Sequence, residues 1–255
     1  MYTIPIMKPA FELGMLVKTL SRWLYPGWCA VCNAYLLLTE DHLCRKCHAK
    51  LNELRLPVCG GCGVELPPYA PGKLRCARCR KNRLMFDEIV SIYRYDEHFK
   101  ELLHQVKFER KFWLLDLFRR KIDRLISGLW SGNERPTFIV PVPLDGARKR
   151  ERSFNQSLLI AQMLSKALGI PVKNNVVARS GKRTPQSMLT RRERLASTEG
   201  TFRMKNSSAV KNSWVLVVDD VVTTGATAHE CAKIIKEAGA ARVSVFSLAR
   251  TPSLI

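Results

Sequence analysis

At 255 residues, with 46% apolar residues, 14 Gly and 13 Pro, the chain is long enough for one large domain or two small ones, and a disordered or collagen-like class is excluded. Lys and Arg outnumber Asp and Glu by 42 to 22, a formal charge of +20. That favours polyanionic partners such as nucleic acid, nucleotides or an acidic membrane face, without choosing among them. The opening stretch MYTIPIMKPAFELGMLVKTLSRWL lacks a long apolar core and a small-residue cleavage site, and no later run reaches membrane-spanning length. No membrane insertion and a cytoplasmic location are therefore expected.

Eight of the nine cysteines form four CxxC pairs: Cys29/Cys32, Cys44/Cys47, Cys59/Cys62 and Cys76/Cys79. A CxxC bend sets two thiolates on one side of the backbone, and two bends complete a tetrahedral zinc site. The intervals between pairs are too short for an apolar core, so metal must supply the folding energy. A disulfide framework is the alternative, disfavoured in a reducing cytosol. Sequential pairing makes two zinc ribbons; interleaved pairing is the other arrangement. Either way, four thiolates per ion leave no open position, and both zinc ions are expected to be structural. His42 and His48 read as bystanders, and Cys231 as a small buried residue on a helix.

After Arg83 the cysteines give way to apolar periodicity. DEIVSIYRY reads as a strand and EHFKELLHQVKF as a helix burying Phe99, Leu102, Leu103 and Val106. A second helix runs from about Trp113 to Leu129. TFIVPVPL is a strand stopped by Pro141 and Pro143, FNQSLLIAQMLSKALG a helix closed by Gly169, and NNVVARS a short strand. WVLVVDD is a buried strand, ATAHECAKIIKEAGA a helix and ARVSVFSLAR the last strand. Such alternation predicts an α/β fold with a mainly parallel sheet flanked by helices, and ligands on such sheets bind at the carboxyl ends of the strands.

Asp219 and Asp220 stand at one such end. A carboxylate pair there accepts hydrogen bonds from vicinal hydroxyls, while the loop VVTTGAT opens a helix whose amides and dipole favour an anion. Thr223, Thr224 and Thr227 add hydroxyls, and Gly225 lets the backbone approach a phosphate. Diol and phosphate together describe a ribose 5-phosphate. The bland alternative is a threonine cap beside two exposed acids.

VLVVDDVVTTGAT resembles the phosphoribosyl pyrophosphate (PRPP) signature of type I phosphoribosyltransferases. With the cysteines, LLHQVKF, IVPVPLDGARKRERSFNQS and RSGKRTPQSMLTRRERLASTEGTF, the chain resembles the ComF/GntX family. The resemblance implies a small Cys-rich double zinc ribbon over residues 26–82 and a type I phosphoribosyltransferase-like domain over 86–251. It implies further that Asp219 and Asp220 hold the ribose hydroxyls, that Thr223, Thr224, Gly225, Ala226 and Thr227 cradle the 5-phosphate, and that magnesium arrives with PRPP. The loop after Pro143 would face the pyrophosphate, and TPQSMLTRRER would be a closing loop. A link to natural transformation or the use of external DNA follows, with DNA-uptake proteins such as a helicase as partners.

No catalytic residue emerges. Asp219 reads as a hydroxyl acceptor with no need of a raised pKa, and no hood for an acceptor base is evident. Two readings therefore stand: a transferase for a nucleobase or amine, and a PRPP-binding protein that handles single-stranded DNA. For the second, Arg148, Lys149, Arg150 and Arg152 on one side of the pocket and Arg191, Arg192 and Arg194 on the other are the expected nucleic-acid contacts. Phe154 and Phe202 read as core residues beside them. Arg78, Arg80 and Lys81 supply further bases in the ribbon.

Overall fold

The computed structural model describes residues 27–37, 40–70, 74–81, 84–130, 134–144, 154–180 and 200–252. The chain divides into two compact units, Met1–Lys50 and Leu51–Ile255. The first unit contains two cysteine knuckles, Cys29/Cys32 and Cys44/Cys47, and the short helix α1 (Arg45–Ala49). Trp28 and Tyr35 bridge across the first knuckle, Cys29 N–H donates to Ala34 O (2.7 Å), and Asn33 takes φ 55°. Asparagine tolerates that left-handed conformation. Cys44 caps α1, its sulfur accepting from Cys47 N–H.

The second unit opens with the same device. Cys59 N–H donates to Val64 O (2.7 Å), and Gly63 takes the left-handed place at φ 67°. A Cβ at Gly63 would lie 2.9 Å from Ile89 Cγ2, so this ribbon presses on the first strand of the sheet. α2 (Ala77–Lys81) carries Cys79, and Cys59, Cys62 and Cys79 belong to the same buried cluster as Val215, Val217 and Val245. Cysteine content divides the sequence after residue 82; packing divides it between Lys50 and Leu51, which joins the second ribbon to the sheet.

That sheet is parallel throughout, in the order β1-β6-β5-β2, with β1 Glu88–Arg94, β2 Phe138–Pro141, β5 Trp214–Val222 and β6 Arg242–Arg250. β5 and β6 lie in the middle. They are nearly continuous in buried residues, as strands covered on both faces must be. Asn52–Leu54 runs antiparallel along the outer edge of β1. α3 (Glu97–Phe108) begins where the Asp96 carboxylate accepts from Phe99 N–H, and it buries the four apolar residues the periodicity singles out. A 3-10 turn (Phe112–Phe118) leads into α4 (Arg119–Leu129), so the second expected helix begins one element late. α5 (Gln156–Leu168) ends on Gly169 at φ 66°, and α6 (Ala226–Glu237) carries the buried Cys231.

Two differences from the sequence reading bear on the site. β3 (Val177–Arg179) stands outside the main sheet and pairs antiparallel with β4 (Phe202–Met204), a strand the apolar pattern does not mark because it spans three residues. β5 does not stop at Asp220. It continues through Val221 and Val222, paired with Ala249 and Arg250, so the acid pair lies within the ladder and not at its end. Buried Val222 supplies the reason: an apolar residue beyond the acids still packs in the core.

Candidate functional site

Asp219 and Asp220 approach the carboxyl end of the sheet's inner strand β5, and each is held by partners from other elements. Asp219 Oδ1 accepts from Ser157 Oγ at the start of α5 (3.1 Å) and from Asp220 N–H (3.0 Å). Asp220 Oδ2 meets Lys107 Nζ, near the end of α3, at 2.5 Å. Burial, and next the charge of Asp220, push the Asp219 carboxyl up to about 7. Hydroxyl binding gives this acid no need of a raised pKa; its surroundings in the fold raise it. Removing solvent from one of two adjacent carboxylates favours its proton.

This has a consequence for stability. The unfolded chain releases the Asp219 proton more readily than the folded one, so the native state loses stability as pH rises from about 4 through 7. Asp219→Asn is expected to raise the melting temperature of the ligand-free protein at pH 8, and by less at pH 5. A shift from 3.8 to about 7, at about 1.4 kcal/mol per unit, sets a ceiling on the order of 4 kcal/mol. Equal melting shifts at both pH values would contradict the assignment.

Beyond Val222 the loop Thr223–Gly225 turns into α6. Thr223 is exposed and Thr227 half-buried, while Thr224, Gly225 and Ala226 are buried. Thr224 Oγ1 accepts from Ala226 N–H (3.2 Å), and no side chain caps the helix at Gly225, whose φ is 82°. That conformation, more than lack of space, requires glycine: a Cβ there meets Leu84 and Val222 only at 3.9 Å. Thr224 Oγ1 takes the first amide of α6, at Ala226, and leaves the other amides of the loop to meet an anion while the acids of the preceding strand meet hydroxyls.

The loop's carbonyls are held from behind. Arg250, fully buried at the end of β6, donates through Nη1 to Val222 O (3.0 Å) and Thr223 O, and through Nε to Cys62 O (2.8 Å). Arg78, inside the Cys76/Cys79 knuckle, donates to Thr224 O (2.5 Å). Arg78, a further base of the ribbon by sequence, is thus engaged with the loop. Carbonyls at a buried strand end need donors, and a guanidinium supplies them. Arg80 and Lys81 are exposed. Phe202 is buried, with Arg179 over its ring, and Phe154 is half-buried against the edge of Phe112 (5.9 Å). Arg148, Lys149, Arg150, Arg152, Arg191, Arg192 and Arg194 lie outside the described residues, as does the expected closing loop.

The eight cysteines gather as Cys29, Cys32, Cys44, Cys47 and as Cys59, Cys62, Cys76, Cys79, each set with its sulfurs within 4.8 Å of one another. Pairing is sequential. Tetrahedral zinc with bonds of about 2.3 Å places sulfurs roughly 3.8 Å apart, and the separations Cys32–Cys44 (3.6 Å) and Cys62–Cys76 (3.7 Å) fit it. Metal analysis of reduced protein is expected to return two zinc ions per chain, with none as the contradicting result. Among the described residues no helix is long and apolar enough to cross a membrane.

Sequence reasoning passed over Ser157, Lys107 and Arg250. The first two stand in FNQS and LLHQVKF, stretches that carry the family resemblance, but no local pattern tells that they meet β5.

The phosphoribosyl transferase domain family matches residues 115–254 and the double zinc ribbon domain residues 20–80. Competence protein F of Haemophilus influenzae is 32% identical over 228 residues, covering 87% of this chain and 96% of its own. DNA utilization protein YhgH of Escherichia coli is also 32% identical, covering 89% and 98%. Competence protein ComFC of Bacillus subtilis is 30% identical, covering 85% and 88%. Among solved structures, a purine phosphoribosyltransferase from Pyrococcus horikoshii overlays 55% of this chain and 84% of its own at 19% identity, with a TM-score of 0.34.

Proposed function

The chain belongs to the family of competence protein F and DNA utilization protein YhgH, and from that premise we propose that it binds PRPP at the Asp219–Thr227 crevice while taking part in the uptake or use of external DNA. The observation that carries the ligand is the succession, along β5 and the loop after it, of two carboxylates and a glycine-turned helix start with no side-chain cap at Gly225. Asp219 and Asp220 accept the ribose 2- and 3-hydroxyls, and the amides and hydroxyls of Thr223 to Thr227 take the 5-phosphate. Lys107, held at Asp220, offsets the repulsion between the acids and a polyanionic ligand. Magnesium would arrive on the pyrophosphate and draw most of its ligands from it and from water. The setting is the cytoplasm.

An exposed aromatic group favours strand handling over simple transfer. Phe108, Phe112 and Trp113 stand roughly half exposed within six residues, and Phe112 meets both Trp113 (6.1 Å) and Phe154 (5.9 Å) edge-on. The exposed halves of Phe112 and Trp113 offer apolar ring surface, on which bases of a single strand stack whatever their sequence. Between residues 104 and 124 there are seven Lys or Arg and three acids, which suits a phosphate backbone. The basic runs at 148–152 and 191–194 would add phosphate contacts, and a helicase or another uptake protein would deliver the strand.

Transfer of phosphoribose to a nucleobase or amine is the competing reading. PRPP consumption is to be screened with candidate acceptors beside single-strand binding on one preparation. Strand binding with negligible turnover is expected. Turnover of about 1 per second or faster with any acceptor would establish the enzyme instead.

A further inference from the structure

We propose that Arg78 and Arg250 are positioning residues through which the second cysteine site holds the phosphate loop, so that metal at Cys59, Cys62, Cys76 and Cys79 is required for tight ligand binding. The proposal rests on the reading of residues 222–227 as a phosphate-binding loop. Three consecutive carbonyls, of Val222, Thr223 and Thr224, are each gripped by one of these guanidinium groups. In a trans peptide the C=O of one residue and the N–H of the next point in opposite directions. Fixing these carbonyls therefore turns the amides of Thr223, Thr224 and Gly225 away from the ribbon, the orientation an anion on the other side of the loop needs.

Both grips depend on the knuckles. Arg78 lies between Cys76 and Cys79, so its backbone position is set by two metal ligands. Arg250 reaches back to the carbonyl of Cys62 (2.8 Å), which joins knuckle and loop through one buried side chain. Leu84, just past the last knuckle, packs within reach of Gly225. Four thiol groups this close together are held by the metal and spread or protonate without it. Loss of the ion would release the arginines from the knuckles and let the loop amides turn.

The test uses the full chain with PRPP and, separately, ribose 5-phosphate as probes. Arg78→Ala is expected to keep two zinc ions and a cooperative melting transition, lowered by a few degrees, yet to lower affinity for both probes by about tenfold or more. Arg78→Lys should recover part of the loss. Chelation, or Cys76→Ser, should speed hydrogen exchange at the amides of residues 223–225 even without ligand, with Cys44→Ser as the control for loss of a metal as such. Arg78→Ala with undiminished affinity, or unchanged exchange in chelated protein, would overturn the coupling while the ligand assignment stood. Wild-type protein that binds neither probe would overturn the ligand assignment itself, and this inference with it.

Discussion

Asp219→Ala combined with Asp220→Ala is expected to weaken PRPP binding by at least about 100-fold. Hydrogen bonds to charged groups contribute about 1.5–3 kcal/mol each, and each tenfold in affinity is about 1.4 kcal/mol. Losing the acceptors for two ribose hydroxyls therefore suffices. The zinc content should stay at two ions per chain, because neither acid is among the cysteine ligands. The fold should also survive: removing Asp219 relieves a partly buried carboxyl beside a second acid, even though Lys107 loses its partner at Asp220. Calorimetry giving wild-type affinity for the double variant would refute the ribose assignment.

Single-stranded DNA is expected to bind with weak sequence preference and a steep salt dependence. Each phosphate neutralised by Lys or Arg releases counterions, so a single strand held at six or so phosphates loses about 300-fold in affinity between roughly 50 and 200 mM salt. Two sets of variants divide the interaction. Arg191→Glu, Arg192→Glu and Arg194→Glu together should flatten the salt slope. Phe112→Ala with Trp113→Ala should cut affinity at least about 30-fold at fixed salt and leave the slope unchanged, because stacking is worth about 1–3 kcal/mol per base and is not ionic. Fluorescence anisotropy at a series of salt concentrations reads both quantities. Negligible strand affinity at low salt would remove the DNA-handling role and leave transfer as the reading.

Much of this architecture is legible from local pattern. WVLVVDD and ARVSVFSLAR read as buried strands because their apolar runs have no polar face to offer solvent, and both form the middle of the sheet. The CxxC spacing yields the two metal sites, though only the folded chain chooses sequential over interleaved pairing. What escapes is long-range. Arg250 closes a strand in the sequence and looks like its solvent-exposed terminus, yet it is fully buried and bonded to Cys62, 188 residues away. Lys107 and Ser157 look like surface positions on amphipathic helices until α3 and α5 dock beside β5. Arg78 reads as one base among several near a knuckle, and only the contact with Thr224 O distinguishes it. The raised pKa of Asp219 has the same origin, since burial is a property of packing and not of the dipeptide.

The direct measurement is calorimetric titration of PRPP, with magnesium, into the reduced wild-type protein carrying both zinc ions. One saturable site per chain is predicted, in competition with ribose 5-phosphate, because the acid pair and the loop recognise the part the two ligands share. Absence of saturable heat, or binding that ribose 5-phosphate does not displace, would contradict the account.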